Sequence, residues 1–257
     1  MYIDSHCHVN FPELRARMPE ILERMSANQV THALCVSVNL PDWPELMQTV
    51  AHEPRLWASV GVHPDYEDTV EPSVQDLVQR ACDNPKVIAI GETGLDYYRL
   101  EGDLEWQRER FRVHIRAARE AGLPLIIHTR AASEDTLRIM REEGADQVGG
   151  VMHCFTESQA VADAAIELNF MISFSGIVTF KSARDLQQVA ASIPLDRLLI
   201  ETDSPYLAPV PFRGKVNDPS YVMHVAEKIA ELRGITPQEV GTASRKNFFR
   251  LFARASA

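Results

Sequence analysis

The chain has 257 residues, 45% of them hydrophobic, and a formal net charge of −10 at pH 7. Its length suits one large α/β barrel, and no apolar run is long enough to span a bilayer. The negative charge excludes non-specific coating of DNA, but it is compatible with a metal centre that engages a few phosphates.

The N-terminus has no basic segment followed by an apolar stretch, which predicts that the chain carries no secretion signal. The four cysteines show neither C-x-x-C spacing nor a disulfide framework. They are interpreted as reduced thiols, and the chain is expected to be cytoplasmic.

Apolar, β-branched runs of strand length alternate with amphipathic stretches of helix length along the whole chain. The predicted strands are Tyr2–His6, Ala33–Asn39, Leu56–Val62, Val87–Gly91, Leu123–His128, Gly149–His153, Phe170–Phe174 and Leu198–Glu201. The predicted helices are Met18–Gln29, Trp43–His52, Pro72–Cys82, Leu104–Ala121, Ser133–Glu143, Glu157–Leu168, Ala183–Ala191, Pro219–Arg233 and Pro237–Phe252.

Eight apolar strands that alternate with helices predict a (β/α)8 TIM barrel with one domain over residues 1–257. The alternative, a doubly wound sheet, lacks support because no G-x-G-x-x-G or G-x-x-x-x-G-K-[ST] motif opens any helix. No linker and no internal repeat beyond the strand–helix unit divides the chain.

Histidines and carboxylates recur where the predicted strands end. His6 and His8 share one face of the first strand and can form half of a metal site, with Asp4 near enough to support one of them. The polar residues at or just beyond the strand ends are His6, His8, Asn39, His63, Glu92, His128, His153, Ser175 and Asp203. Because chemistry collects at the carboxyl ends of barrel strands, this recurrence predicts a metal-dependent active site.

Other residues near the strand ends receive separate interpretations. Strand alternation turns Cys7 and Cys154 away from the centre, so both are predicted to be small buried hydrophobic residues. Arg99, Arg213 and Lys215 lie in Gly- or Pro-containing loops on the predicted active face, where they are candidates for phosphate contacts.

The motifs that follow one another in this chain are shared with a known family. They are Asp4-Ser5-His6-Cys7-His8, Gly91-Glu92-Thr93-Gly94-Leu95-Asp96, His128-Thr129-Arg130, His153-Cys154-Phe155-Thr156 and Glu201-Thr202-Asp203-Ser204-Pro205. The chain resembles the TatD-type metal-dependent hydrolases, or deoxyribonucleases, of the amidohydrolase superfamily, over nearly its whole length. The family has a distorted (β/α)8 barrel.

The resemblance implies a centre of two divalent ions. The implied metal ligands are His6, His8, Glu92, His128, His153 and Asp203. On this reading Glu92 bridges the ions, and Asp203 is the catalytic residue that orients the attacking water and accepts its proton. His63, Arg99, Arg213 and Glu201 are assigned to substrate binding, with Glu201 also a candidate support for the metal ligands.

The function implied by the resemblance is 3′–5′ exonucleolytic hydrolysis of single-stranded or frayed DNA. Two alternatives stay open: an amidohydrolase that cleaves amide or ester bonds on the same barrel, and a barrel that binds a metal or ligand without catalysis. The mixed nitrogen and carboxylate ligand set suits zinc, manganese or, more weakly, magnesium. No membrane partner and no obligate protein partner is evident in the sequence.

Overall fold

The computed structural model describes residues 1–98 and 100–255. Eight strands lie within these residues: β1 Tyr2–Cys7, β2 Val30–Cys35, β3 Leu56–Val60, β4 Val87–Asp96, β5 Leu125–Arg130, β6 Gly150–Met152, β7 Phe170–Phe174 and β8 Leu198–Ile200. The α-helices are α1 Pro12–Arg15, α2 Met18–Ala27, α3 Trp43–Ala51, α4 Val74–Asp83, α5 Glu105–Ala121, α6 Ser133–Glu142, α7 Gln159–Glu167, α8 Arg184–Ser192, α9 Val222–Arg233 and α10 Pro237–Leu251.

The strands form one parallel sheet in the order β1 to β8, which confirms the predicted (β/α)8 barrel. Each of the eight predicted strands is present, and Phe170–Phe174 has the predicted bounds. The largest difference is β4, which continues through Asp96 instead of ending at Gly91. The one-turn helix α1, with Pro12 at its first position, was not predicted from the sequence.

The barrel interior is built from one apolar layer to which all eight strands contribute. Its members include Ile3, Leu34, Trp57, Ile88, Ile126, Val151, Met171 and Leu199, and Phe248 of α10 and Phe252 just after that helix pack against them. Successive strand side chains alternate between faces, so the residue two positions further along β5 that faces the same way is His128. The same step leads from Val151 to His153 and from Leu199 to Glu201, which places polar side chains above the apolar layer.

The barrel closes between β1 and β8 largely through side chains and through backbone beyond the end of β8. A single β-bridge joins Cys7 to Ser204, and the His8 N–H donates to the Ser204 carbonyl over 2.8 Å. The buried Asp4 carboxylate accepts a 2.8 Å hydrogen bond from the Thr202 N–H, and the Ser5 hydroxyl donates to the Ile200 carbonyl over 3.0 Å. This seam therefore holds the β1 histidines beside Asp203.

No α-helix among residues 1–98 and 100–255 is long and apolar enough to cross a membrane.

Candidate metal centre

The six predicted ligands converge at the carboxyl end of the barrel. His6 Nε2 and His8 Nε2 lie 3.3 Å apart, and Asp203 Oδ1 is 3.4 Å from His8 Nε2 and 3.7 Å from His6 Nε2. Two nitrogens bound to one tetrahedral ion at about 2.0–2.1 Å would be separated by about 3.3 Å. The spacing of these three side chains therefore fits a shared divalent ion.

Glu92 lies between two groups of histidines and turns one carboxylate oxygen to each. Its Oε2 is 3.4 Å from His6 Nε2, whereas its Oε1 is 2.6 Å from His153 Nε2 and 3.3 Å from His128 Nδ1. Glu92 Oε1 is also 3.4 Å from His63 Nε2. One side chain thus connects both halves of the ligand cluster.

A buried polar atom without an aligned hydrogen bond supports a metal at this position. His153 Nε2 is buried and faces Glu92 Oε1, but it makes no aligned hydrogen bond. Unsatisfied buried nitrogens are costly in a folded protein unless another partner takes them up. Imidazole nitrogens and carboxylate oxygens are the ligands that zinc and manganese accept, so the residues present fit a divalent ion.

The electrostatics of the cluster follow from burial and from the facing charges. Burial raises the pKa of Glu92, but the neighbouring His153, His63 and His128 outweigh it and hold that pKa well below its usual range. Burial lowers the pKa of His63 to about 3, so its imidazole is neutral at neutral pH. Burial lowers the pKa of His153, but Glu92 and Glu201 outweigh it and raise that pKa well above its usual value, so a metal ion that binds there would have to displace a proton.

Three of the ligand histidines are held from behind by a hydrogen-bond acceptor. His8 Nδ1 lies 3.0 Å from the Val36 carbonyl, His128 Nε2 3.1 Å from Asp96 Oδ2, and His153 Nδ1 3.3 Å from Glu201 Oε1. Such partners orient the imidazole and raise its basicity as a ligand.

Asp96 was not assigned a role from the sequence. It is buried, its N–H donates to Gln107 Oε1, and its carboxylate faces His128. The available signal was the two-residue period of a strand, since residues 92, 94 and 96 share one face if β4 continues. Because the strand was predicted to end at Gly91, the shared face of Glu92 and Asp96 was not recognised.

Gly94 lets β4 and β5 approach at this point. A Cβ atom at Gly94 would lie 1.9 Å from the His128 carbonyl oxygen, and the residue has a φ of +138°. Only glycine fits such a contact and conformation. Gly94 therefore allows the close approach of β4 to β5 that places Asp96 against His128.

The cluster forms the floor of a cavity of about 790 Å³. Its lining includes the loops after most strands: His8, Phe11, Val38, His63, Asp65, Tyr66, Glu92, Asp96, His128, Thr129, Arg130, His153, Cys154, Thr156, Ile177, Asp203, Tyr206 and Leu207. His63 thus lines the cavity beside Glu92, where it can reach a bound substrate.

Several residues lie elsewhere than the sequence suggested. Cys154 lines the cavity instead of pointing into the core, because β6 ends at Met152 and Cys154 adopts a φ of +42°, so strand alternation no longer applies. Cys7 is buried in the core, as expected. Glu201 is fully buried behind His153 and cannot contact a substrate, which leaves only its supporting role.

The basic loop residues lie outside the cavity floor. Arg213 is exposed, with its guanidinium 4.1 Å from the centre of the Phe180 ring, and it does not line the cavity. Arg99 lies outside the described residues.

The two buried carboxylates behind the histidines yield a prediction on metal affinity. We expect Asp96→Asn and Glu201→Gln each to weaken divalent metal binding about 10–100-fold, because each removes the charge that orients one imidazole. Zinc and manganese titrations followed by calorimetry measure this, with the exposed Asp163→Asn on α7 as the control. Unchanged affinity in both variants would contradict the supporting role.

Comparisons with known proteins agree with this geometry. The sequence profile of the family described as TatD related DNase matches residues 3–253. The chain is 43% identical over 254 residues to the uncharacterized metal-dependent hydrolase YabD of Bacillus subtilis, with 98% of this chain and 99% of the relative covered. It is 29% identical over 238 residues to the 3'-5' ssDNA/RNA exonuclease TatD of Klebsiella pneumoniae, with 91% and 90% covered. The crystal structure of YJJV, a TatD homologue from Escherichia coli, superposes with a TM-score of 0.90 at 28% identity and covers 98% of both chains.

Proposed function

Because the chain belongs to the TatD-related DNase family of metal-dependent hydrolases, we propose that it is a nuclease that hydrolyses DNA phosphodiester bonds from the 3′ end of a single strand. The observation that carries this proposal is the placement of Glu92, whose two carboxylate oxygens face separate groups of histidines. A relative that shares the same span of chain is named as a 3'-5' single-strand exonuclease, which supports the choice of substrate.

We propose that the ligand cluster holds two divalent ions. His6, His8 and Asp203 would hold the first, His128 and His153 the second, and Glu92 would bind both. When bound, two such ions supply Lewis acidity at the attacked phosphate and lower the pKa of the attacking water. The nitrogen and oxygen ligands suit zinc or manganese, and magnesium less well.

Asp203 is the proposed proton acceptor. Burial raises the pKa of its carboxyl group, but the hydrogen bond with His8 and the neighbouring histidines outweigh burial and lower that pKa below its usual value. The carboxylate is therefore ionised at neutral pH, and it lines the cavity where a water and a substrate would meet. A positioned base of this kind contributes about 10²–10⁴-fold to a rate.

His63 is the proposed phosphate contact on the opposite side of Glu92. Its neutral imidazole lines the cavity and can donate an N–H to a phosphoryl oxygen as negative charge develops there. Arg99, which follows β4 in the sequence, is also a proposed phosphate contact.

The proposal is tested with linear single strands labelled at the 3′ or the 5′ end, a circular single strand, and a panel of amides and esters. With zinc, manganese or magnesium supplied, we expect prompt release of the 3′ label as a mononucleotide and a ladder from the 5′-labelled strand. Chelation should abolish turnover and added metal should restore it. Turnover of an amide or ester with no cleavage of DNA would assign the chain to a different hydrolase reaction.

A further inference from the structure

The loops around the cavity mouth differ sharply in charge. The loop between β3 and α4, residues 61–73, has no lysine or arginine and carries Asp65, Glu67, Asp68 and Glu71, which we call the acidic rim. Glu67 and Asp68 are exposed, whereas Glu71 pairs with Arg110. Asp65 and Tyr66 of the same loop line the cavity, so the rim borders its mouth.

One segment in each of the loops after β7 and β8 has the opposite charge. Residues 175–183 and 204–217 contain no aspartate or glutamate and carry Lys181, Arg213 and Lys215, which we call the basic track. All three cations are exposed. In a chain with a net charge of −10, these two segments without a carboxylate form a local positive surface. The acids that border the second segment face other groups: Asp203 lies beside His6 and His8, and Asp218 pairs with Arg24.

The two loops of the basic track pack together, and two of its three cations lie over aromatic rings. The Val210 N–H of one loop donates to Thr179 Oγ1 of the other over 2.9 Å. The Arg213 guanidinium lies over Phe180, and Lys215 Nζ lies 5.8 Å from the centre of the Phe212 ring. Contact with a ring restricts these side chains before any ligand binds. The loss of conformational entropy on binding a phosphate is therefore smaller.

The basic track continues directly from the cavity. Ile177 of the first loop and Tyr206 and Leu207 of the second line the cavity, and Tyr206 is 55% exposed. β3 and β7 are four strands apart in a closed eight-stranded order, so the acidic rim and the basic track face each other across the mouth. A polyanion that enters the cavity meets attraction on one side and repulsion on the other.

We infer that a single DNA strand leaves the cavity over the basic track and that the acidic rim keeps the strand from continuing on the opposite side. The inference rests on the proposed nuclease function and explains how the site would select an end. A strand whose backbone can pass on one side only must place its terminal nucleotide in the cavity. A circular strand would have to lay its phosphates against the acidic rim.

The basic track is tested with the double variant Arg213→Gln/Lys215→Gln. We expect the KM for a 20-nucleotide single strand to rise on the order of tenfold and the slope of log K against log salt to fall by about 1.4, since each single-strand phosphate contact contributes about 0.7. The loss of activity should be larger for the 20-nucleotide strand than for bis(p-nitrophenyl) phosphate, which is too small to reach the track. Arg141→Gln/Lys246→Gln, an exposed pair on α6 and α10, is the matched control. An unchanged KM and slope would overturn the inference, as would an equal loss in the control.

The acidic rim is tested with Glu67→Gln/Asp68→Asn. Removal of the two exposed charges should raise cleavage of a circular single strand relative to a linear one several-fold. A ratio equal to that of the unaltered protein would refute the exclusion.

Binding of a fluorescent phosphorothioate single strand, followed by anisotropy, separates this inference from the nuclease proposal. If the unaltered protein cleaves no DNA, the nuclease proposal fails. The basic track is still confirmed as a DNA-binding surface if the Arg213→Gln/Lys215→Gln variant binds the strand more weakly than the control double variant does. Equal binding by the two double variants overturns the track, whatever the turnover.

Discussion

Replacing Glu92 with glutamine is expected to lower phosphodiester turnover on the order of 10³-fold while the barrel stays folded. Glutamine keeps the shape of the side chain but removes the negative charge between the two histidine groups. Several kcal/mol of transition-state stabilisation by the metal centre depend on that charge, and each 1.36 kcal/mol corresponds to about tenfold in rate. Steady-state kinetics with excess metal and metal analysis of the isolated protein measure the effect.

The Glu92 prediction has a sharp control. Glu120→Gln makes the same chemical change on the exposed surface of α5 and should leave turnover and metal content as they are. Circular dichroism and thermal unfolding establish that the Glu92→Gln protein is folded. Near-normal turnover of a folded Glu92→Gln variant in excess metal would rule out the bridging role.

Replacing Asp203 with asparagine is expected to lower kcat on the order of 10³-fold, within the range for a positioned base, with little change in KM. Asparagine keeps an oxygen that can face His6 and His8. The fold decrease in kcat should therefore exceed the fold decrease in metal content. Because hydroxide from solution would then replace the missing base, the residual rate should rise about tenfold per pH unit on the alkaline side. Rates measured from pH 6 to 10 beside metal content provide the test.

A second substitution separates the two roles of Asp203. Asp203→Ala removes the ligand oxygen together with the base, and it should lower metal content as well as kcat. If the asparagine and alanine variants lose metal equally, and the residual rate of Asp203→Asn does not depend on pH, then Asp203 is a ligand and not the base.

The sequence alone determined the barrel, and it predicted the six candidate ligands that the resemblance names. Strand runs alternate with helices, and both periodicities are local properties of the chain, so the order and type of the elements could be read directly. The two-residue repeat placed His6 and His8 on one side, and the end of each strand marked where Glu92, His128 and His153 stand. Parallel strands in sequential order bring such positions to one end of the barrel without further information.

Only the tertiary structure decided how those ligands are supported. Asp96 backs His128 because β4 runs five residues past its predicted end and passes close to β5 at Gly94, a contact between strands that no local pattern encodes. Cys154 entered the cavity because its positive φ follows the end of β6, where alternation stops. Glu201 supports His153 because the two residues follow the ends of different strands, β8 and β6, and their side chains meet inside the barrel.

The charge contrast across the cavity mouth also depends partly on the sequence and partly on the tertiary structure. The sequence placed four carboxylates in one loop and three cations in two others, but it left open which loops face each other. That relation follows from closure of the sheet between β1 and β8, where Asp4 and Ser5 hold backbone groups almost two hundred residues away. Local periodicity specifies the elements and the faces of their side chains, whereas contacts between distant segments depend on register and closure, which only the folded chain provides.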